Sequence, residues 1–226
     1  MRWTKLLALT SALSASLFMP LTWAKNVSVD IFALPSESIQ NLVKENSQTL
    51  SHLGMTTFYA KGKQPHITLY LTEYPEQALP KVKKVVHQLA NQTAVFNLSA
   101  QGISVTKGNW VFIDISWSKQ LQNLADKTTL ALEDYRAKTP NLPDWVKNYP
   151  NKLAAFNRYG SPNVFQNFQP HMTLLANEQN ASLETFKRQV AKQLPHAQGK
   201  VSGIGIAIVD PLGQPTKIIA TYPLRH

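Results

Sequence analysis

The sequence predicts an α+β fold built from two similar halves, and three observations support that prediction. The string QPHITL begins at Gln64 and the string QPHMTL begins at Gln169, an offset of 105 residues. Gly108 and Gly213 each follow the histidine of their own string by 42 residues. In both halves the pattern between histidine and glycine is strand, helix, strand, and another strand follows the glycine. A register shared over this length indicates an internal duplication.

The elements of the first half follow from hydrophobic periodicity and turn residues. Pro35-Ser36 begins a helix that runs toward His52, and Gly54 ends it. A short β-prone run follows Pro65, so His66 lies at the start of a strand. The expected order is strand 27–34, helix 36–52, strand 67–71, helix 79–89, strand 91–106 and strand 110–117.

The second half repeats this order after its own histidine. We expect strand 171–175, helix 182–194, strand 201–209 and strand 216–224. Between the halves, residues 119–138 are helix-like, and the connection 138–169 then becomes irregular, with several prolines and aromatic residues. Two interpretations of this connection remain open: a lid or pocket wall, and a surface excursion that covers apolar area.

The first 24 residues are typical of a secretory signal peptide. Arg2 and Lys5 precede an uncharged apolar run of 14 residues, Leu6 to Met19, and Ala24 offers a small residue for cleavage. An uncleaved anchor is the alternative, but the run is short for a membrane span of about 20 residues. We therefore expect export to the periplasm or medium, with no membrane association after cleavage. Residues 25–226 should form one bilobal, monomeric domain, with lobes of approximately 25–117 and 118–226.

Composition narrows the classes of function. After cleavage the chain would carry a net charge of +8, from 21 basic and 13 acidic residues, which suits an anionic partner such as a nucleotide, nucleic acid or membrane surface. The absence of cysteine excludes disulfides, thiol nucleophiles and cysteine metal sites. Neither a Gly-x-Ser-x-Gly elbow nor a Walker-type loop is present.

The duplicated strings are candidates for a functional site, because the alternation of side chains along a strand places the histidine and threonine of each string on one face. His66 and Thr68 should face one side while Ile67 faces the core, and His171 and Thr173 should do the same in the second half. If the two halves pair about a two-fold axis, two imidazoles and two hydroxyls meet in one cleft.

This set of groups suits phosphodiester hydrolysis. A neutral imidazole can take a proton from attacking water, an imidazolium can protonate the leaving oxygen, and the threonine hydroxyls can hold the phosphoryl oxygens. Two histidines without paired carboxylates make a poor dinuclear metal site, so we expect no metal and no cofactor. Two alternatives remain: a nucleotide- or RNA-binding protein without turnover, and an envelope protein in which the duplication is only structural.

The tandem Pro-His-apolar-Thr-Leu motifs resemble those of the 2H phosphoesterase superfamily, which includes 2′-5′ RNA ligase-like proteins and cyclic nucleotide phosphodiesterases. The resemblance covers residues 27–224. It implies two antiparallel sheets with outer helices around a central cleft, and metal-independent hydrolysis of 2′,3′-cyclic phosphates or 2′-5′ linkages in a nucleotide or RNA end.

The resemblance also implies roles for individual residues. His66 and His171 would be the acid/base pair, commonly with the first as acid, and Thr68 and Thr173 would bind the phosphate. Additional pocket candidates, chosen because aromatic rings stack bases and arginine pairs with phosphate, are Tyr70 on the His66 face and Arg158, Tyr159 and Phe168 before the second motif. The signal peptide and the long connection depart from the family pattern.

Overall fold

Residues 25–226 fold as an α+β domain in the computed structural model, which describes this part of the chain. The predicted signal peptide lies outside the described residues. The strands are β1 (Asn26–Pro35), β2 (Ile67–Pro75), β3 (Phe96–Val105), β4 (Val111–Ile115), β5 (His171–Leu175), β6 (His196–Val209) and β7 (Pro215–Pro223). The helices are α1 (Glu37–His52), α2 (Leu79–Gln92), α3 (Lys119–Leu132), α4 (Pro150–Tyr159) and α5 (Leu183–Lys192). The predicted fold class is confirmed.

The strands form one antiparallel sheet in the order β2-β1-β6-β3-β4-β5, with β7 also paired to β6. The long strand β6 joins the halves, because its first residues pair with β3 and its later residues pair with β1 and β7. Strand pairing also crosses residue 117, the boundary that we expected between two lobes. The hairpin β3-β4 pairs with β5, and β1-β2 pairs with β6, so each half of the sheet contains strands from both repeats.

The helices pack by apolar faces, as their periodicity predicts. In α1, Ile39, Leu42, Val43 and Leu50 recur at helical spacing and are buried. Helix α1 lies against β6, α3 against β2, and α5 against β3. No helix among residues 25–226 is both long and apolar enough to cross a membrane.

Helix α4 was not predicted, because the prolines of the connection 138–169 were interpreted as helix breakers. Pro150 is the first residue of α4, where proline costs no hydrogen bond. Gly160 ends the helix with a φ of +69°, and a Cβ there would clash with the Thr72 hydroxyl. The Thr72 hydroxyl donates to the Gly160 carbonyl over 2.9 Å. The end of α4 thus lies on β2, which supports the covering role for this part of the connection.

The two histidine strands lie at opposite ends of the pairing order but come together in space. β2 and β5 lie against each other. The loop before β2 is tied to β5 directly, because the Phe58 N–H donates to the Leu174 carbonyl over 3.0 Å. The curvature of the sheet therefore brings the starts of both strands to one place.

Candidate active site

The two histidines are held by the same hydrogen bond. The Nδ1 atom of His66 lies 2.9 Å from the carbonyl oxygen of Gln64, and Nδ1 of His171 lies 2.8 Å from the carbonyl oxygen of Gln169. Because a carbonyl oxygen only accepts, Nδ1 carries the hydrogen in the neutral ring and Nε2 keeps its lone pair. The duplicated Gln-Pro-His string thus fixes the tautomer and leaves Nε2 as the reactive atom.

Both histidine strands contain a β-bulge at the same position of the repeat. Phe32 pairs with Thr68 and Ile31 with Tyr70, which leaves Leu69 unpaired. In the second half, Phe112 pairs with Thr173 and Val111 with Leu175, which leaves Leu174 unpaired. Each bulge follows the motif threonine by one residue and reverses the side-chain alternation beyond it.

The first bulge overturns the prediction that Tyr70 shares a face with His66. Both Leu69 and Tyr70 lie in the main core, and Tyr70 is fully buried. Its hydroxyl donates to the Tyr159 carbonyl over 2.6 Å. Leu71 instead packs beside Phe32, Ala207 and Val209, the cluster on the side of the motif threonine.

Each motif threonine faces a phenylalanine that contacts the neighbouring imidazole. The ring centroids of Phe32 and His66 are 5.5 Å apart in an edge arrangement, and those of Phe112 and His171 are 4.2 Å apart. Phe32 is fully buried over Gly205, where a Cβ would clash with its ring. Phe112 is partly exposed and continues to Trp110, at a centroid distance of 6.1 Å.

The first motif also contacts a buried carboxyl group. Asp30, on β1, is fully buried, and its Oδ2 accepts a hydrogen bond of 2.8 Å from the Thr68 hydroxyl. The same oxygen lies 3.5 Å from Nε2 of His66, whereas Oδ1 has no hydrogen-bond partner among the described residues. Asp30 therefore touches both functional residues of the first motif.

Burial favours the neutral forms of this pair. Desolvation raises the pKa of Asp30 well above its usual value, and the Thr68 hydrogen bond only partly offsets that. The pKa of His66 is lowered to about 4, chiefly by desolvation and also by the charge of His171, against the hydrogen bond to the Gln64 carbonyl, which raises it. Although the distance suits an ion pair, we assign the neutral forms, because one carboxyl oxygen lacks any donor and both side chains are almost completely buried.

The second histidine is surrounded differently. His171 is partly exposed and pairs across the strands with Asp114, whose Oδ2 accepts from the Ser104 hydroxyl. Desolvation lowers the pKa of His171, the Gln169 carbonyl and the charge of Asp114 oppose this, and the charge of Lys152 lowers it further. Lys152 comes from α4, so the long connection places a cation near the second histidine.

Lys152 is half-buried without a carboxylate partner among residues 25–226. Its Nζ donates to Asn163 Oδ1 over 2.5 Å and lies 5.3 Å from the centroid of the Trp145 ring. Burial lowers its pKa. A cation held this way is available to an anionic ligand.

Residues of both motifs line one pocket. His66 and Thr173 share it with Gln64, Lys63 and Gln214. Lys63 also approaches Asp210, with Nζ 3.7 Å from Oδ2. Thr173 makes no side-chain hydrogen bond within the described part of the chain, so its hydroxyl is available to a ligand. The pocket therefore contains one residue of each motif, and His171 is near enough to His66 for its charge to lower the pKa of that ring.

The remaining pocket candidates lie elsewhere. Arg158 pairs with Glu133, with Nη1 and Oε2 2.7 Å apart, and its guanidinium covers the Tyr159 ring. That ring packs on Phe165 at a centroid distance of 4.7 Å, and Phe168 is buried in the core. None of these three, nor Tyr70, lines the pocket of His66 and Thr173, because the connection uses its polar and aromatic groups to fix itself to the domain.

Four residues of the site were missed at the sequence level: Asp30, Phe32, Phe112 and Lys152. One signal was available for Asp30, since a single acidic residue in the apolar strand VSVDIFAL is unusual. The phenylalanines carry no such signal, because strands contain aromatic residues routinely.

The arrangement can transfer protons on both sides of one phosphate. Two imidazoles held through Nδ1, the Thr173 hydroxyl and a nearby cation match the requirements of acid–base catalysis with charge stabilisation. Among residues 25–226 no cluster of three or more histidine or acidic side chains could hold a metal ion.

Comparison with protein-family models places the chain in a known family. The family model described as the 2′-5′ RNA ligase superfamily matches residues 35–210, which include both histidine motifs. Sequence comparison with curated proteins gives no match.

Solved structures share the fold at low sequence identity. The protein TT0787 of Thermus thermophilus is 17% identical with a TM-score of 0.58, covering 88% of this chain and 98% of its own. Escherichia coli LigT in complex with 3′-AMP is 13% identical with a TM-score of 0.55, covering 89% and 100%. LigT in complex with phosphate has a TM-score of 0.54 at 13% identity, covering 89% and 99%.

Proposed function

Since the chain belongs to the 2′-5′ RNA ligase superfamily, we propose that it is a metal-independent phosphodiesterase that hydrolyses 2′,3′-cyclic phosphates or 2′-5′ linkages in nucleotides or RNA ends. One observation carries the proposal. Two histidines lie on strands that contact each other, and each has its Nδ1 atom bonded to the carbonyl two residues earlier, which leaves Nε2 as the reactive atom.

The reaction follows from those two atoms. One neutral imidazole accepts a proton from water as the water oxygen bonds to phosphorus. The bond from phosphorus to the leaving oxygen breaks, and that oxygen takes a proton from the other ring, which must begin as imidazolium or receive a proton from a neighbour. The Thr173 hydroxyl and the Lys152 ammonium supply donors for the negative charge that develops on the phosphoryl group.

A nucleotide substrate is supported by two observations. The structurally similar LigT has been seen with 3′-AMP and, at a TM-score of 0.51, with NADP+. In this chain Phe112 and Trp110 form a partly exposed aromatic strip that begins at His171, and such rings stack on bases with little sequence preference.

Export is a separate proposal, supported by the basic, apolar and small-residue pattern of residues 1–24. Expression of the full chain followed by mass determination of the mature protein tests it. Cleavage after Ala24 is expected, and an intact N-terminus on a cytosolic product contradicts it.

The test of the activity is a substrate panel assayed with and without chelator. The panel contains 2′,3′-cyclic mononucleotides, a 2′-5′-linked dinucleotide and the matching 3′-5′-linked dinucleotide. We expect turnover of at least one of the first two classes and no effect of chelator. Binding without turnover across the panel supports the alternative of a nucleotide- or RNA-binding protein, and activity that requires an added cation contradicts the proposed chemistry.

A further inference from the structure

Two exposed aromatic rings lie next to the cation that serves the second histidine. Trp145 is 45% exposed and Tyr149 is 54% exposed, and their ring centroids are 6.1 Å apart. The Nζ atom of Lys152 lies 5.3 Å from the centroid of the Trp145 ring, and its charge lowers the pKa of His171. The two rings and the ammonium group therefore form one surface beside the candidate active site, and the proposed reaction uses only the ammonium group.

The exposure of these rings is built into the fold, because the segment that carries them is anchored. Trp145 lies in the short 3-10 helix Asp144–Asn148, in which Val146 is fully buried. The Tyr149 N–H donates to the Val146 carbonyl over 3.0 Å, and Pro150 then begins α4. An anchored segment that holds two large rings in solvent leaves their apolar surface available to a ligand.

The charges around the rings favour an anionic ligand. Lys152 is only partly buried and has no carboxylate partner among residues 25–226. Asp144, the carboxylate next to Trp145 in the chain, is already paired with Lys147, with Oδ1 and Nζ 2.8 Å apart. Rings beside an unpaired cation suit a nucleotide, because its base stacks on aromatic side chains and its phosphate pairs with lysine.

This surface is separate from the aromatic strip on β4. Phe112 contacts the His171 ring and continues to Trp110. Within residues 25–226, no ring contact joins that strip to Trp145 or Tyr149. The second histidine therefore has one aromatic surface on β4 and another on the connection. A single nucleotide has one base and can stack on only one of them at a time, whereas two linked nucleotides can use both.

We propose that Trp145 and Tyr149 form a base-stacking subsite for the second nucleotide of an RNA end whose terminal phosphate lies at the two histidines. The inference rests on the proposed function and names the substrate class of that site, an oligonucleotide end in preference to a mononucleotide. The terminal base stacks on Phe112 and Trp110, and the ammonium group of Lys152 contacts phosphate between the two surfaces. The connection 138–169, and not the duplicated motifs, carries this preference.

The first experiment measures kcat/KM for a 2′,3′-cyclic mononucleotide and for a dinucleotide that ends in the same cyclic phosphate. Stacking of one further base should favour the dinucleotide by roughly tenfold or more in wild type. Trp145→Ala and Tyr149→Ala should each lower this ratio several-fold. Tyr149→Phe keeps the ring and should preserve the ratio. Equal ratios in wild type and both alanine variants overturn the proposal.

Two controls make this measurement specific to the base. Trp117→Ala removes a more exposed tryptophan whose indole N–H donates to Gln122 of α3, so it should leave the ratio unchanged. A dinucleotide in which the second nucleotide is abasic keeps the phosphate charge and lacks the base, so wild type and Tyr149→Ala should process it equally well. A loss in Tyr149→Ala that persists on the abasic dinucleotide overturns the subsite.

The second experiment needs no turnover, so it separates failure of this inference from failure of the proposed function. Calorimetry measures binding of a deoxydinucleotide 3′-phosphate, which has no 2′-hydroxyl, and of its abasic counterpart of equal charge. The ionic strength is held constant, because phosphate contacts depend on salt. Wild type should bind the complete deoxydinucleotide roughly tenfold more tightly than the abasic one, and Tyr149→Ala should lose most of that difference.

The outcomes of the two experiments can be told apart. Tighter binding of the complete deoxydinucleotide that depends on Tyr149, without turnover anywhere in the substrate panel, supports the subsite and contradicts the proposed hydrolysis. Turnover of cyclic phosphates with equal binding of the complete and abasic deoxydinucleotides supports the proposed function and overturns the subsite. The comparison of these two ligands on wild type also covers the case in which an alanine variant fails to fold.

Discussion

The strands of the first and second histidine motifs share one backbone arrangement but differ in surroundings. In both, the Nδ1 atom bonds a glutamine carbonyl, a leucine forms a bulge, and a phenylalanine faces the motif threonine. His66, however, is 6% exposed beside the buried Asp30, whereas His171 is more open and lies near Asp114 and Lys152.

This difference shows which properties a duplication preserves. Backbone features that orient Nε2 depend on strand pairing and are the same in both halves. Protonation depends on burial and on neighbouring charges, and these come from β1 in one case and from β4 and the long connection in the other. A symmetric backbone can therefore support two different proton-transfer roles.

The largest effect should come from removing either imidazole. His66→Ala and His171→Ala should each reduce kcat by roughly a hundredfold to ten-thousandfold, because each removes one of the two proton transfers. Steady-state kinetics on the best substrate of the panel measures this. His52→Ala, an exposed histidine at the end of α1, is the control and should retain full activity. Full activity in either motif variant would mean that the ring performs no proton transfer.

Phe32 and Phe112, which pair with the two motif threonines, should differ in whether their removal affects stability or catalysis. Phe32 is fully buried over Gly205, so Phe32→Ala should lower the free energy of unfolding by about 3–5 kcal/mol. Phe112 is partly exposed and packs on His171, so Phe112→Ala should cost less stability and instead reduce kcat/KM several-fold. Denaturant unfolding and kinetics on both variants test the contrast, and equal stability losses would contradict it.

Sequence reasoning identified the fold class and placed both histidine motifs at the starts of strands, because both predictions depend on repeated, short-range patterns. It misplaced Tyr70 because strict alternation was assumed, and the bulge at Leu69 carries no glycine to mark it. It missed Asp30 and Lys152 because their neighbours are distant in the chain. Asp30 meets Thr68 across 38 positions, and Lys152 reaches His171 only through the folding of α4.

Replacing Lys152 tests whether the connection contributes to substrate binding and to the protonation of the second histidine. Lys152→Ala should raise KM by roughly three- to tenfold, since it removes a partly desolvated cation from an anion site. It should also move the acidic limb of the pH profile to higher pH, because the charge of Lys152 lowers the pKa of His171. Lys147→Ala removes an exposed lysine that is already paired with Asp144 and should change neither quantity. Identical behaviour of the two variants would assign Lys152 to structure alone.

The smallest effect on activity should come from replacing Arg158. This residue lies in the part of the connection that covers β2, whereas Lys152 lies in the part near the second histidine. Its guanidinium is held by Glu133 at 2.7 Å and is 63% exposed, so it is not free to meet a phosphate. Arg158→Ala should leave KM and kcat unchanged and lower the free energy of unfolding by about 0–1 kcal/mol, the range for exposed ion pairs. Steady-state kinetics compared with Lys152→Ala measure the first effect. Denaturant unfolding compared with Glu133→Gln, which breaks the same ion pair, measures the second. Arg158→Ala could instead raise KM as much as Lys152→Ala while Glu133→Gln does not. The guanidinium would then have to leave Glu133 to bind substrate, and the assignment of Arg158 to the part of the connection that only covers β2 would be wrong.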